Sequence, residues 1–330
     1  MNMFIILMVA VAAVSGSKDQ IVNLANGDPK IMLGLFNMFQ YEYGKEYAPS
    51  ERRLRLANFR QFVKDAARYN EEDEDVTYGI TMFADLTEAE AENMRGFNAT
   101  GMNDDDDVYE QAEVNPKFNL GANHQSRYGP AKNQANTNAC WAFAATAVLE
   151  GHTSIKNRRY TALSEQEVAD CTSGSTVARG GMHNKALEAV RRTGHLATSA
   201  SYPFTYRDGY SCNTRHQNAL PFRITGVYKV NGDNGLAAAL SAGPVAVGMG
   251  FDRQLSAYRG GVYSNRSCMS VQNHAVTAVG YTSSYWIVRN SYGTGWGERG
   301  HVRFTRSYQN MCHISSYSFY IRTQSNGEVE

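Results

Sequence analysis

Phe36, Phe39, Tyr43 and Tyr47 recur at spacings of three and four, which predicts one apolar helix face in the front part of the chain. A second stripe follows. Glu51, Arg55, Phe59, Phe62, Ala66 and Asn70 are spaced four, four, three, four and four, so one helix keeps all six on one side, with Glu51 and Arg55 close enough to pair. Ser50 reads as its N-cap, and the acidic cluster 71–75 as its end. Residues 77–83 read as a short strand. An Ala-rich helix is expected from Cys140 to a stop at Gly151, with further helices after Ser164 and around 185–192. The later chain turns strand-like. The runs 244–250, 274–281, 285–290, 300–306 and 317–323 are rich in Val, Tyr, Phe and Ile, which suit a pleated, half-buried surface.

Residues 4–14 are all apolar and are followed by Ser15, Gly16 and Ser17. A membrane span needs about 20 such residues. The shorter run ahead of small residues is expected to be a secretory signal peptide, residues 1–16. Export permits disulfides and makes the sequons at Asn98 and Asn265 candidate glycan sites.

The 330 residues carry 32 basic and 32 acidic side chains, so the whole chain gives no reason to expect nucleic-acid binding. The balance hides a split. Residues 17–110 hold 10 basic and 20 acidic residues, and residues 111–330 hold 22 and 12. Opposite charge is expected to draw the two parts together. The acidic run 104–107 reads as a solvated linker.

Five cysteines are too few for a disulfide scaffold, and their spacing does not suit zinc, so no metal or cofactor is expected. An odd count in an exported chain leaves one free thiol. Cys140 stands out because polar residues (Asn133, Gln134, Asn136, Thr137, Asn138) precede it and a helical run follows it. The partial positive charge of a helix start favours thiolate. Acyl transfer by a thiolate also needs a proton shuttle. His274 and Asn290, 134 and 150 positions downstream, are the candidates, each at a strand end. An isolated Cys and His would more often be core residues.

Several motifs in order narrow this. The 134–143 stretch, Asn273-His274-Ala275-Val276, the 285–297 stretch and Leu163-Ser164-Glu165-Gln166-Glu167 resemble the nucleophile, histidine, asparagine and helix-start segments of the papain family of cysteine peptidases. The last is physically a capping box. Glu51, Arg55, Phe59 and Asn70, with Gly79, Phe83 and Asp85, resemble the inhibitory propeptide of its cathepsin L-like branch.

The resemblance implies an α+β, two-lobed papain-like fold. A helical lobe would span about 116–222 and an antiparallel β-barrel-like lobe about 223–330, with the cleft between them. Residues 17–110 would be a helical propeptide and 111–330 the mature peptidase. Cys140 would be the nucleophile, His274 its proton partner and Asn290 the group that orients the imidazole. Gln134 and the Cys140 N–H would form the oxyanion hole. The resting pair would be thiolate and imidazolium. Gly180 and Gly181 would pair with the substrate backbone. Met182, His183, Gly248 and Ala275 would wall the main pocket, with Tyr317 at its floor, suiting Leu or Val two residues before the cut; Trp296 would complete the substrate-binding set. The implied disulfides are Cys171–Cys212 and Cys268–Cys312, although four cysteines allow three connectivities. The implied partners are protein and peptide substrates, the chain's own propeptide and cystatin-type inhibitors, for a secreted or lysosomal monomer.

The chain departs from the family pattern in places. Thr137 and Ala178 stand where the family usually has a disulfide, and Tyr292 stands where a tryptophan covers the Asn–His hydrogen bond. Two other readings compete with a secreted endopeptidase zymogen. An inactive papain-like binding or structural protein would typically have lost the nucleophile. Other thiol acyl-transferases use Asp where this chain has Asn290.

Overall fold

The computed structural model describes residues 17–97, 121–209, 211–214, 218–230, 232–270 and 272–324. The expected signal peptide, the sequon at Asn98 and the acidic run 104–107 lie outside the described residues.

Among the described residues, three helices come first: α1 (Lys18–Ala25), α2 (Pro29–Glu42) and α3 (Pro49–Glu72). The two aromatic stripes meet, with Phe59 packed 5.3 Å from Phe36 and 5.1 Å from Phe39 between ring centroids. Tyr47 is not on the expected helix face: α2 ends at Glu42 with Tyr43 as C-cap, and the chain beyond it brings the Tyr47 ring back onto Phe36 at 5.8 Å. Ser50 is not the cap of α3. The cap lies two residues earlier, at Ala48, and the helix starts at Pro49, whose missing N–H would have no helical partner there. Arg55 pairs with Glu51 and also with Glu90, each at 2.6 Å. Glu90 sits on the short helix α4 (Glu88–Glu92). Of the strand expected over 77–83, only β1 (Val76–Tyr78) forms. Asn70 satisfies the outer edge of β1: its side chain accepts from Tyr78 N at 2.8 Å and donates to Tyr78 O at 2.9 Å.

After β2 (Ala122–Asn123) come α5 (Cys140–Asn157), α6 (Glu165–Cys171) and α7 (His183–Thr193), with the hairpin β3 (His195–Ala197) and β4 (Ala219–Pro221). They pack around Trp141, Leu149, Leu163, Leu187 and Val190. Gly151 does not stop α5. A Cβ there would come 2.4 Å from Tyr128 Oη and 2.5 Å from Pro244, so close packing needs the glycine inside the helix. Ser164 caps α6, accepting from Glu167 N at 3.0 Å. The Glu167 carboxylate turns away from the box to accept from Ala197 N at 2.6 Å.

The remaining elements are β5 (Ile224–Val230), α8 (Gly232–Ala242), β6 (Val245–Met249), α9 (Arg253–Ser256), β7 (Tyr258–Tyr263), β8 (His274–Tyr281), β9 (Tyr285–Arg289), β10 (His301–Thr305) and β11 (Ser318–Thr323). The main sheet runs β1-β7-β10-β9-β8-β6-β11-β5, with β2 on β8. Two details differ from expectation. β7 and β10 pair in parallel, so the β lobe is not purely antiparallel. Residues 122–123, expected in the helical lobe, belong to the sheet, because the chain crosses from β8 before reaching α5.

The front part joins the sheet as an edge strand, β1 on β7. Gly79 N extends the pairing to Ala257 O at 2.8 Å, and Phe83 packs 5.7 Å from Phe251 and 4.9 Å from Tyr292. Charge plays a smaller part than the split suggested. Among the described residues, the ion pairs crossing between the two parts are those of Arg253 with Asp65 at 2.9 Å and with Glu88 at 3.5 Å.

Disulfides join Cys171 to Cys212 and Cys268 to Cys312. Where Thr137 and Ala178 replace a bridge, hydrogen bonds link the two segments. Asn138 N donates to Val177 O at 2.9 Å, and Asn138 Nδ2 to Ala178 O at 2.6 Å.

Candidate active site

Cys140 is the first residue of α5, with Ala139 as N-cap. It is the free cysteine and is fully buried. β8 begins at His274, and Asn290 directly follows β9, which pairs with β8. That pairing carries Asn290 beside His274, whose Nε2 lies 2.9 Å from Asn290 Oδ1. The same oxygen accepts the backbone N–H of Ser291 at 2.8 Å, which fixes it as the oxygen of the amide. Nε2 must therefore carry a proton, and in neutral His274 Nδ1 is the bare nitrogen.

Tyr292 lies over this ring. The two rings stack with centroids 5.0 Å apart at 8°, and the phenol oxygen is 3.4 Å from His274 Nδ1. Gln134 is buried beside them. Its Nε2 donates to Thr137 O at 2.7 Å and to Met94 O at 3.0 Å, while Ser291 Oγ donates to its Oε1 at 2.5 Å.

The four expected catalytic residues are thus brought together, under a cover. Residues 94–97 of the front part run across them. Gly181 N donates to Gly96 O at 3.0 Å, and Phe97 N donates to Asn273 O at 3.2 Å. Gly180, at φ +89°, has no room for a side chain, because a Cβ would fall 2.1 Å from Gly96 O. A phenyl ring fills the expected main pocket. Phe97 packs 5.2 Å from His183 at 26° and 5.6 Å from Tyr317. A Cβ on Gly248 would sit 2.6 Å from the Phe97 ring. His183 therefore forms a wall of this pocket. Ala275 is buried beside Cys140, and Met182, half-buried, is the N-cap of α7. Trp296 lies beneath the site. It is buried against Phe251, Tyr258 and Tyr292, with Nε1 donating to Leu255 O at 3.3 Å, so it is a support and not an exposed cleft wall.

The cover changes the electrostatics. Burial pushes the Cys140 thiol up to about 11, against the pull of backbone N–H groups of Ala275, Gly96, Trp141 and Cys140 itself. Burial lowers His274 to about 4, against the bond to Asn290, and Arg95 lowers it further. Burial in the covered site thus works against both charges of the expected thiolate–imidazolium pair.

Asn265 is half-buried, and its Nδ2 donates to Gln254 Oε1 at 2.5 Å, so the nitrogen that would carry a glycan is engaged. Sequence reasoning missed the covering segment, the Asn138 staple and Arg253. A signal for the first existed: Gly96-Phe97 follows an acidic helix, placing one residue without a side chain next to one large apolar side chain.

A buried cysteine at a helix start, a histidine held by an asparagine and a glutamine amide aimed at a carbonyl define a thiol-dependent peptidase site, closed by a segment of its own chain. Residues 115–322 match the family described as Papain family cysteine protease, and residues 36–91 match the Cathepsin propeptide inhibitor domain. The chain belongs to the papain family of cysteine proteases. It is 38% identical over 204 residues to Senescence-specific cysteine protease SAG12 of Arabidopsis thaliana, covering 58% of each chain. It is 30% identical over 302 residues to a Cathepsin L-like proteinase of Fasciola hepatica, covering 86% of this chain and 91% of that one. The structure of digestive procathepsin L 3 from the Tenebrio molitor larval midgut superposes with a TM-score of 0.80 at 28% identity, covering 88% of this chain and 98% of that one.

Proposed function

We propose that this chain is a secreted or lysosomal cysteine endopeptidase made as a zymogen, with residues 17–110 as propeptide and 111–330 as the mature enzyme. One observation carries the reading: Cys140, His274, Asn290 and Gln134 converge under a strand that ends in the main pocket. When that strand leaves, water reaches the pair and His274 Nδ1 takes the Cys140 proton. The thiolate attacks the substrate carbonyl, the oxygen takes up the displaced electron pair, and Gln134 Nε2 and Cys140 N–H stabilise it. The imidazolium, held by Asn290, then protonates the leaving amine, and water hydrolyses the acyl-enzyme.

The reading also accounts for why the covering strand is not cut. A substrate would place the residue preceding the reacting peptide unit in the main pocket. Here the pocket residue, Phe97, follows the residues at Gln134 and Cys140, so the strand runs the opposite way. The seated phenyl also revises the preference for Leu or Val. Gly248 leaves room for a ring, and Tyr317 packs against that ring without closing the pocket. We assign the pocket to aromatic and large apolar side chains.

The test compares the processed wild-type protein with a Cys140→Ala variant on a fluorogenic peptide carrying Phe two residues before the cut. Hydrolysis by the first and none by the second is expected. Equal activity in the variant, or none in either, contradicts the reading.

A further inference from the structure

Tyr292 is the residue at this site that the family pattern does not account for, and its hydroxyl has a defined place. It lies 3.3 Å from Met94 O, the same carbonyl oxygen that Gln134 Nε2 holds at 3.0 Å. Two side-chain donors therefore converge on one carbonyl oxygen within the site. We propose that the Tyr292 hydroxyl is a third donor of the oxyanion hole, acting with Gln134 and the Cys140 N–H on the carbonyl oxygen under attack.

Three features support this role. First, the ring is locked. Tyr292 is flanked by Phe83 at 4.9 Å, Phe251 at 5.4 Å, Trp296 at 6.0 Å and His274 at 5.0 Å. Phe83 belongs to the propeptide, and the other three remain after its removal. A donor fixed by packing needs no reorganisation as charge develops. Second, burial raises the phenol well above its ordinary range, so it stays a protonated donor. Third, the alternative acceptor disappears in the active state. In the covered site the hydroxyl is shared between Met94 O and bare His274 Nδ1. Once His274 takes the thiol proton, both ring nitrogens carry hydrogens and neither can accept. The Cys140 thiolate and the carbonyl oxygen are then the acceptors left to it, and once the sulfur bonds to carbon its charge passes to that oxygen. As the sulfur bonds to the carbonyl carbon and the C=O electron pair moves to oxygen, Tyr292 donates a hydrogen bond to that oxygen and keeps its proton.

The inference rests on the peptidase reading, and the experiment separates the two. Tyr292→Phe keeps the ring and removes the donor. Wild type, Tyr292→Phe, Gln134→Ala and the double variant are processed from full-length protein, and rates are normalised to the Cys140 sites titrated by an epoxide inhibitor, so misfolded molecules drop out. We expect Tyr292→Phe to lower kcat by about 10-fold or more with KM unchanged, below the roughly 100–1,000-fold typical of a main donor. Affinity for a peptide aldehyde, which forms a tetrahedral adduct with the thiol, should fall by the same factor. The epoxide labelling rate and its pH profile, which need no oxyanion hole, should not change. The double variant should lose less than the product of the single losses. Unchanged kcat and aldehyde affinity overturn the proposal, as does a shifted labelling pH profile, which would assign the hydroxyl to His274 alone. An inactive wild type would instead overturn the peptidase reading.

Discussion

The carbonyl of Gly96 accepts the backbone N–H of Gly181 at 3.0 Å, and neither residue's backbone could come so close to its surroundings with a side chain attached. A Cβ on Gly96 would lie 2.0 Å from Asn138 O, and Asn138 is itself fixed by its two bonds to Val177 and Ala178. Gly96→Ala should therefore lift the covering strand without touching the catalytic residues. The zymogen of this variant is expected to hydrolyse peptide before processing, at least about 10-fold faster than the wild-type zymogen, equivalent to about 1.4 kcal/mol of lost docking. A zymogen as silent as wild type would mean that the strand seats elsewhere.

Thiol reactivity should separate the covered and open states. In the zymogen, Cys140 is held up at about 11 and His274 down at about 4, so the thiol should be neutral at pH 7. Alkylation by iodoacetamide should be slow there and rise as pH approaches that raised value, since the thiolate is the nucleophile. The processed enzyme should react fast across the acid-to-neutral range. Matching profiles in the two forms would contradict a covered pair held toward its neutral forms.

Acid should loosen the cover through histidine first. Docking seals the Phe97 ring against a neutral His183, and desolvation lowers that imidazole to about 3 from an ordinary 6.5. The undocked state binds protons below about 6.5 and the docked state does not. Docking is therefore strongest above that value and is lost as pH falls toward the lowered value. Glu90 acts at lower pH. Its bond to Arg55 holds it down to about 2, so its contribution is full above the ordinary carboxylate range and fades as pH falls toward that value. In a Cys140→Ala zymogen, amide exchange at residues 94–97, corrected for intrinsic rates, should rise between pH 7 and pH 4. It should respond little to salt, because among the described residues the ion pairs that cross come from Arg253. A large salt effect without a pH effect would restore the charge split as the driver.

The seated Phe97 ring makes a specificity prediction. Gly248→Ala would put a methyl group 2.6 Å from that ring. Selectivity for Phe over Val two residues before the cut should fall by about 10-fold, the order seen when one methylene is added to or removed from a pocket. Unchanged selectivity in a peptide library would show that Gly248 does not line the pocket.

Much of this was legible in the sequence because it rests on local pattern. The aromatic stripes of α2 and α3, the helix start at Cys140 and the strand ends at His274 and Asn290 all follow from spacing and residue type. What was not legible depends on distant contacts. Gly151 looked like a stop because only the fold brings Tyr128 and Pro244 against it. The charge of the two halves could be counted, but which carboxylates pair within the front part, as Glu51 and Glu90 do on Arg55, depends on how α3 and α4 meet. The pull of burial against both charges of Cys140 and His274 could not be read from a helix dipole, because the strand that removes their water lies more than 40 residues upstream.

The most direct test of a Cys140-centred site closed by its own strand is where, and when, an epoxide thiol inhibitor reacts. The full-length protein is treated with the inhibitor at neutral pH and again after acid processing, and the modified residue is mapped by mass spectrometry. Label on Cys140 after processing, with little or none before, is the result this account requires. Equal labelling of Cys140 in both samples would contradict the covered site, and label absent from Cys140 after processing would contradict the site itself.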